Sequence, residues 1–275
     1  MKTPKISVVI PAYNRPQTLR RLLKSVARQT QPASEVIVVD DASPASGKIP
    51  DLVQSFRGRL PGLQFIHNKI NHGQSRCRNQ GIRAARFPLI ALSDDDDEWM
   101  PRKLEKQAAL FRLRWNDTEM VYTWVLLKEE GGRVLWRFKP SLEAQGVRKF
   151  LWDISGSLPN PSATLIKKEC LLRAGLFDES LSGPDDWDMW LRILQKGARC
   201  RAVRDFLTIQ HQQKVRVSIS LRGKLGFLHF ARKHFLFFLR VNPVVFLHLA
   251  WFLTGVKLGL RDKFSRGGQE SHASD

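Results

Sequence analysis

The sequence PLIALSDDDD, residues 88–97, joins a short apolar run to four consecutive aspartates. Its apolar part, residues 89–93, has the length and composition of a buried strand. An unperturbed aspartate has a pKa of about 3.9, so four adjacent carboxylates repel one another at neutral pH and favour a bound cation. Oxygen ligands suit a hard cation, Mg²⁺ or Mn²⁺, rather than zinc. We therefore expect a divalent metal where this strand ends, with a solvated acidic loop as the alternative.

Strand geometry predicts how the four aspartates divide. If the extended backbone continues beyond the apolar run, alternate side chains point to opposite sides. Asp94 and Asp96 then face one side, and Asp95 and Asp97 face the other. This alternation favours an Asp-x-Asp arrangement in which Asp94 and Asp96 approach the metal. Trp99, two residues further on, is expected to be a packing residue.

The chain before the aspartates alternates strands with helices. Predicted strands cover residues 6–10, 35–39 and 63–67, and predicted helices cover residues 16–26 and 75–85. This alternation predicts an α/β fold with a central, mostly parallel sheet flanked by helices. Ligands bind such sheets at the carboxyl ends of the strands. Residues 11–14, 40–41 and 94–97 all fall at that edge.

The second half of the chain is mixed. We expect a helix over 101–115, a strand pair over 120–127 and 134–138, a strand over 163–166 and a helix over 185–196 that Gly197 ends. The predicted folded domain is residues 1–220, in two halves, 1–100 and 101–220. Residues 221–275 form a separate tail.

A second acidic cluster, Gly183-Pro184-Asp185-Asp186-Trp187-Asp188, opens the helix predicted over 185–196. Acids at a helix start satisfy free N–H groups and the helix dipole, which would explain Asp185 alone. The apolar stripe of the helix leaves Asp186 at its mouth, where a carboxylate can take a proton from an incoming hydroxyl.

A third cluster, residues 71–79, is a turn and helix start that carries Arg76 and Arg78. Helix N-termini and guanidinium groups both favour phosphate oxygens. A basic turn on the surface is the alternative reading.

The charge of the chain is concentrated toward its end. The 45 Lys and Arg residues against 26 Asp and Glu residues give a net charge of +19. From residue 225 onward, basic residues alternate with Phe, Leu and Trp. The longest nearly uncharged stretch, residues 244–256, is too short to cross a bilayer, which needs roughly 20 apolar residues. We expect residues 225–260 to form amphipathic helices on an anionic membrane surface, or else to dock on the protein core or a second subunit.

The three cysteines, Cys77, Cys170 and Cys200, are far apart and lack metal-site spacing, which predicts reduced thiols in a cytosolic compartment. The first residues, Met1 to Lys5, show no apolar leader, so we expect a protein that is not exported. With the basic tail, this predicts a cytoplasmic enzyme on the inner face of the membrane.

Five motifs follow one another along the chain. They are residues 7–15, residues 38–43, Arg78-Asn79, residues 94–101 and Asp185-Asp186-Trp187-Asp188. The chain resembles family 2 glycosyltransferases, in which these motifs have the same order, and the resemblance covers residues 5 to about 220. Members of this family are inverting enzymes with the GT-A fold that use nucleotide sugars. The resemblance implies a hexosyltransferase-type enzyme with a nucleotide-sugar donor, UDP-linked by expectation, and a saccharide or lipid-linked acceptor.

The resemblance implies that residues 1–100 are the nucleotide-binding half and residues 101–220 the acceptor half. It also implies roles for individual residues. The loop Pro11-Ala12-Tyr13-Asn14 and Asp41 would hold the nucleotide base, and Arg78 would reach the base or the phosphates. Asp96 would bind the metal, with Asp94 and Asp95 near the metal or the ribose. Asp186 matches the catalytic base. The family more often has Glu-Asp where this chain has Asp185-Asp186, so Asp185 is the alternative base. His211 could approach the diphosphate or the acceptor, or serve a structural role.

Other functional classes would use some of the same residues. A metal-dependent phosphoryl-transfer enzyme would also use the aspartate run, and the net charge would suit a nucleic-acid-binding module. No nucleic-acid motif is present, however, and no Gly-x-Gly-x-x-Gly follows the first strand, which disfavours a dinucleotide oxidoreductase. A sugar-binding protein without activity is a further alternative. The sequence does not indicate the oligomeric state.

Overall fold

The computed structural model describes residues 4–44, 48–129, 131–141, 158–212 and 221–241. The chain divides into two compact units. The first contains the chain up to Ser180 together with the segment from Asp185 to Val215, and the second contains residues 181–184 and the chain from Arg216 onward.

The first half of the first unit is a parallel α/β layer. Its strands are β1 (Ile6–Ala12), β2 (Glu35–Asp40), β3 (Gln64–His67) and β4 (Leu89–Leu92), in the spatial order β3-β2-β1-β4. All three pairings are parallel. Every residue of β1, β2 and β4 is buried, as expected for central strands covered on both faces.

The helices of this half are α1 (Pro16–Ala27), α2 (Ile49–Gln54) and α3 (Gln74–Ala84). Proline begins α1, where its fixed φ suits the first turn. The apolar stripe of α1, Leu19, Leu22, Leu23 and Val26, is buried as its spacing predicts. Gly81 lets α3 lie against β1, because a Cβ at that position would collide with Val9. The sheet and its helices thus form the layers that the sequence predicts.

The second half extends the same sheet with mixed pairing. It contains β5 (Glu98–Trp99), α4 (Lys103–Leu113), β6 (Met120–Lys128), β7 (Val134–Phe138), β8 (Thr164–Lys167), α5 (Lys168–Arg173), α6 (Asp185–Gln195) and β9 (Cys200–His211). The order continues as β4-β8-β6-β9-β5, with β7 paired to β6. Strand β8 runs antiparallel to both β4 and β6, whereas β9 runs parallel to β6. The short elements α2, β5 and α5 are absent from the sequence prediction.

The described part of the second unit contains α7 (Leu221–Lys233) and α8 (Phe235–Val241). In the described residues, no helix combines the length and the apolarity needed to cross a bilayer. The apolar stretch over 244–256 lies outside the described residues, as do residues 142–157. The predicted domain limit at residue 220 and the membrane role of residues 225–260 therefore stay predictions.

Candidate active site

The ends of β1, β2 and β4 bring the predicted site residues to one edge of the sheet. The Tyr13 N–H group donates to Asp95 Oδ2 at 3.2 Å, and the Asp41 N–H group donates to the Ala12 carbonyl at 2.9 Å. The loop after β1 is also tied to the loop after β2, because the Asn14 N–H group donates to Ser43 Oγ at 2.7 Å. The three segments that the sequence places at this edge are in contact there.

The four aspartates form a turn rather than an extension of the strand. Strand β4 ends at Leu92, and the Asp97 N–H group donates to the Asp94 carbonyl at 3.3 Å. Exposure nevertheless alternates, because Asp94 and Asp96 are partly exposed while Asp95 and Asp97 are each only 1% exposed. The grouping expected from strand geometry is present, but the turn produces it.

Two arginines form ion pairs with the first three aspartates of the run. Arg15 contacts Asp95 Oδ1 at 2.5 Å and Asp96 Oδ2 at 2.6 Å. On the other side, Arg78 contacts Asp94 Oδ1 at 2.5 Å. Arg15 is not among the site residues that the sequence predicts, although its position directly after Asn14 in the loop following β1 was a signal that could have found it. The counter-charge expected from the aspartate run is supplied here by guanidinium groups.

Three of the four aspartates, Asp95, Asp96 and Asp97, have a raised pKa. Burial raises the pKa of Asp95 to about 7, although Arg15 acts in the opposite direction. Burial also raises the pKa of Asp96, and it raises that of Asp97 well above its usual range, with Asp96 and Asp94 adding to the effect. Asp97 accepts a hydrogen bond from Asn160 Nδ2 at 3.2 Å. Additional positive charge at this turn would be stabilised.

Asp41 organises the loop before α3. Its Oδ1 accepts from the His72 N–H group at 2.9 Å, and its Oδ2 accepts from the Gly73 N–H group at 2.7 Å. Burial opposes ionisation of Asp41, but these backbone donors and Asn68 lower its pKa overall. Gly73 has a φ of +89°, which suits glycine at the turn that leads into α3. Asp41 therefore fixes the start of the helix that carries Arg78.

Arg78 lies between the two acidic clusters. It is 1% exposed, and its two terminal nitrogens contact Asp94 Oδ1 and Asp185 Oδ2, each at 2.5 Å. Its guanidinium group also lies 5.2 Å from the ring centre of Phe177. The alternative reading of a basic turn on the surface is therefore wrong for Arg78. Arg78 joins the aspartate run and the start of α6 into one site.

The first acid of α6, Asp185, accepts hydrogen bonds from three neighbouring side chains. It is 1% exposed. Besides Arg78, Ser75 Oγ donates to its Oδ2 at 2.8 Å, and Gln74 Nε2 donates to its Oδ1 at 3.0 Å. All three donors come from α3. Asp185 thus holds α3 and α6 together.

The second acid, Asp186, has a different environment. It is partly exposed, and its Oδ1 accepts a hydrogen bond from the Trp187 N–H group at 2.9 Å. Burial and the adjacent Asp185 raise the pKa of Asp186 to about 7, against the effect of Arg78. The third acid, Asp188, is buried and pairs with Arg192 at 2.6 Å. Of these three acids, Asp186 has the exposure and the pKa of a group that exchanges protons near neutral pH.

His211 lies where β9 meets β5. Its Nε2 is 3.2 Å from Glu98 Oε2, and this contact lowers the pKa of Glu98. Glu98 follows the aspartate run directly, so His211 is tied to the same part of the chain.

Comparison with known proteins gives a consistent classification. The family model described as glycosyl transferase family 2 matches residues 7–171. An uncharacterized glycosyltransferase of Methanocaldococcus jannaschii is 29% identical over 211 residues, which cover 75% of this chain and 70% of that protein. An Escherichia coli protein named for colanic acid biosynthesis, WcaA, is 29% identical over 238 residues, which cover 84% of this chain and 81% of that protein.

The crystal structure of S. aureus TarS 1–349 in complex with UDP-GlcNAc matches with a TM-score of 0.65 and 20% identity. The match covers 82% of this chain and 66% of that one, just under two thirds of its length. It confirms the α/β architecture of the GT-A type expected from the sequence. With the family model covering more than half of the chain, the protein belongs to glycosyl transferase family 2 and is a glycosyltransferase.

Proposed function

We propose that the protein transfers a sugar, with inversion, from a UDP-sugar to a hydroxyl group of a saccharide or lipid-linked acceptor. The observation that carries this proposal is the Arg78 bridge between Asp94 and Asp185, because it unites the aspartate run and the acidic start of α6. The name of WcaA and the nucleotide sugar bound by TarS support a role in the synthesis of a cell-envelope polysaccharide or glycolipid.

The donor nucleotide would bind at the loop after β1. Tyr13 is 46% exposed, so its ring is free to stack on a base, and Pro11, Ala12 and Asn14 would shape the same wall. Asp41 and Asp95 are both nearly buried and tied to the chain. We expect Asp41 to act on the base by holding the loop at residues 71–73 in place, and Asp95 to lie below the ribose.

A divalent cation, Mn²⁺ or Mg²⁺, fits the residues of this turn. Asp94 and Asp96 offer partly exposed carboxylate oxygens, the ligands that such cations prefer. In the described residues no three acidic, His or Cys side chains form a complete metal centre. Mg²⁺ commonly uses one or two carboxylates plus substrate phosphates, so two aspartates suffice. When bound, the cation would neutralise the charge that develops on the leaving diphosphate.

The proton transfer is assigned to Asp186. In its ionised form, Asp186 accepts the proton of the acceptor hydroxyl, and the hydroxyl oxygen bonds to the anomeric carbon as the bond to the nucleoside diphosphate breaks. Attack from the face opposite the leaving group inverts the configuration. Asp185 would keep Asp186 in position, and Arg78 would hold Asp94 on the donor side.

A screen of nucleotide sugars with Mn²⁺ tests this proposal. A ligand at 100 times its Kd stabilises the folded protein by about 2.7 kcal/mol, which thermal melting detects. We expect a UDP-sugar to give this shift in the wild type but not in Asp96→Ala. The matched control is Asp117→Ala, whose side chain is 58% exposed and pairs with Arg199. Stabilisation of Asp96→Ala equal to that of the wild type would contradict the metal assignment.

The same proposal includes a location at the inner face of the cytoplasmic membrane, held by residues 225–260. The alternation of basic and apolar residues in this segment supports it. Arg232 and Lys233, both exposed at the end of α7, would then contact anionic lipids. Changing both to glutamine should weaken binding to vesicles that contain phosphatidylglycerol. Unchanged vesicle binding would count against this location.

A further inference from the structure

The solvent face of α1 is a row of cations. Five residues between positions 20 and 28 are not buried. All of them are Arg or Lys except Ala27. Arg21 is partly buried and donates to the Asp96 carbonyl at 2.7 Å, so it belongs to the active site. The other three, Arg20, Lys24 and Arg28, are exposed and four residues apart. At a rise of about 1.5 Å per residue, they form a line about 12 Å long.

A fourth cation extends this row across a groove. Arg59, in the segment after α2, lines a shallow groove of about 420 Å³ together with Lys24, Ala27, Arg28 and Phe56. Lys24 and Arg28 also line a second groove of about 230 Å³ that contains Arg20. The two grooves share Lys24 and Arg28 as a common wall. We call the four residues Arg20, Lys24, Arg28 and Arg59 the α1 basic face.

The cations of the α1 basic face have no acidic partner among the described residues. In the part of the chain that the structure describes, none of the four is paired with an acidic side chain, whereas exposed Arg102 and Arg133 pair with Glu105 and Glu129. Glu98 lines the smaller groove, but its carboxylate is bonded to His211. Four unpaired like charges repel one another, so an external polyanion would stabilise this face.

We propose that the α1 basic face is a contact surface for the phosphate headgroups of an anionic lipid bilayer. The cations form a row rather than converging on one point, which suits many phosphates more than a single bound ion. Ala27 is the one apolar side chain exposed among them, so the contact would lie at headgroup level without insertion. No exposed aromatic ring lies among the lining residues to stack on nucleic-acid bases, since Phe56 is 3% exposed.

This inference deepens the proposed function by assigning a membrane contact to the catalytic unit itself. The row begins five residues after Arg15, which contacts Asp95 and Asp96. A bilayer bound along α1 would therefore place lipid-linked acceptors near the carboxyl edge of the sheet. The surface does not depend on residues 225–260.

Vesicle sedimentation with the full chain tests this surface. The variant R20Q/K24Q/R28Q/R59Q is compared with the control K69Q/R112Q/R114Q/K196Q, which removes the same charge from exposed positions elsewhere. Vesicles contain equal parts of phosphatidylcholine and phosphatidylglycerol. Each cation at a bilayer surface contributes roughly a fivefold gain in affinity, so we expect a loss of about 100-fold or more in the first variant and less than about fivefold in the control. Equal losses in both would overturn the proposal.

Further arms separate other polyanions and misfolding from the proposed contact. The variant R20K/R28K/R59K keeps every charge and should bind vesicles within about twofold of the wild type. If it lost binding together with its melting transition, the face would be structural and the proposal would fail. Inorganic phosphate or duplex DNA that bound to the wild type and not to R20Q/K24Q/R28Q/R59Q, with vesicle binding unchanged, would also overturn it. The vesicle result is independent of sugar transfer, so failure of the proposed reaction is separately visible.

Discussion

The aspartate turn after β4 and the acidic start of α6 both place several carboxylates side by side. The carboxylates at the two places differ in their partners and in their exposure. At the turn, Arg15 and Arg78 form ion pairs with the first three aspartates, and the exposure of the side chains alternates along the run. At the start of α6, Asp185 accepts hydrogen bonds from side chains of α3, and Asp188 pairs with Arg192. Asp186 is left partly exposed, with its pKa raised to about 7.

The role of each acid thus follows from the donors around it and not from the local density of acids. A carboxylate that receives guanidinium, hydroxyl and amide donors, as Asp185 does, is held in place and links α3 to α6. A carboxylate that receives one backbone N–H group and lies beside another acid is able to change its protonation state near pH 7. We expect the aspartate turn to bind a cation and Asp186, at the start of α6, to accept a proton.

The largest expected effect is on Asp186→Asn. Loss of a general base lowers the rate by 10²–10⁴-fold, and we expect sugar transfer to fall by about 10³-fold while UDP binding stays within about threefold of the wild type. The raised pKa means that the folded state favours protonated Asp186, so the wild type loses stability as pH rises from about 4 to about 7. Asp186→Asn should therefore melt at a higher temperature than the wild type at pH 8.

Transfer assays, UDP titration and thermal melting provide the three measurements. Weakened UDP binding that matched the loss of rate would indicate that Asp186 binds the donor instead.

Asp185→Asn tests the structural role of the first acid of α6. Removing one partner of a buried ion pair costs about 3 kcal/mol, because Arg78 would keep its charge without Asp185. For a chain of this size we expect Tm to fall by roughly 6–12 °C. The control is Asp117→Asn, at an exposed ion pair, where a loss below about 1 kcal/mol is expected. If Asp185→Asn kept the wild-type Tm and lost transfer, Asp185 would be the base.

The sequence predicts the sheet edge well because burial and alternation are local signals. The continuous apolar runs of β1, β2 and β4 and the stripe of α1 give those elements directly. The segments at their carboxyl ends follow from topology. Short elements such as β5 and α5 carry too few residues for a period, and tertiary pairing decides them.

The different environments of the acids within each cluster could not be predicted from the sequence. Asp185 and Asp186 are identical side chains next to each other, and the difference between them comes from Gln74, Ser75 and Arg78, more than 100 residues earlier. Arg15 is 81 residues from Asp96, so their pairing is likewise a product of the fold. Long-range donors of this kind leave no local pattern.

Arg15→Gln tests the charge balance of the aspartate turn, and its expected effect is smaller. Arg15 occupies Asp95 and Asp96, so a metal ion that binds Asp96 must compete with it. Removing this cation should raise the Mn²⁺ affinity by roughly 5-fold to 10-fold, since one charge pair at a partly exposed site contributes about 1 kcal/mol. Titration calorimetry with Mn²⁺ and UDP measures this change. Arg76→Gln, at a cation with a distant partner, is the control. Weaker Mn²⁺ binding in Arg15→Gln would contradict this competition.

The pH dependence of sugar transfer tests the assignment of Asp186 most directly. Asp186 must be ionised to accept a proton, and its pKa is raised to about 7. The rate of the wild type should therefore rise about tenfold per pH unit below pH 7 and level off above it. In Asp186→Asn the residual rate should lose this step. A step near pH 7 that persisted in Asp186→Asn, or a wild-type rate independent of pH from about 5.5 to 8.5, would contradict the assignment.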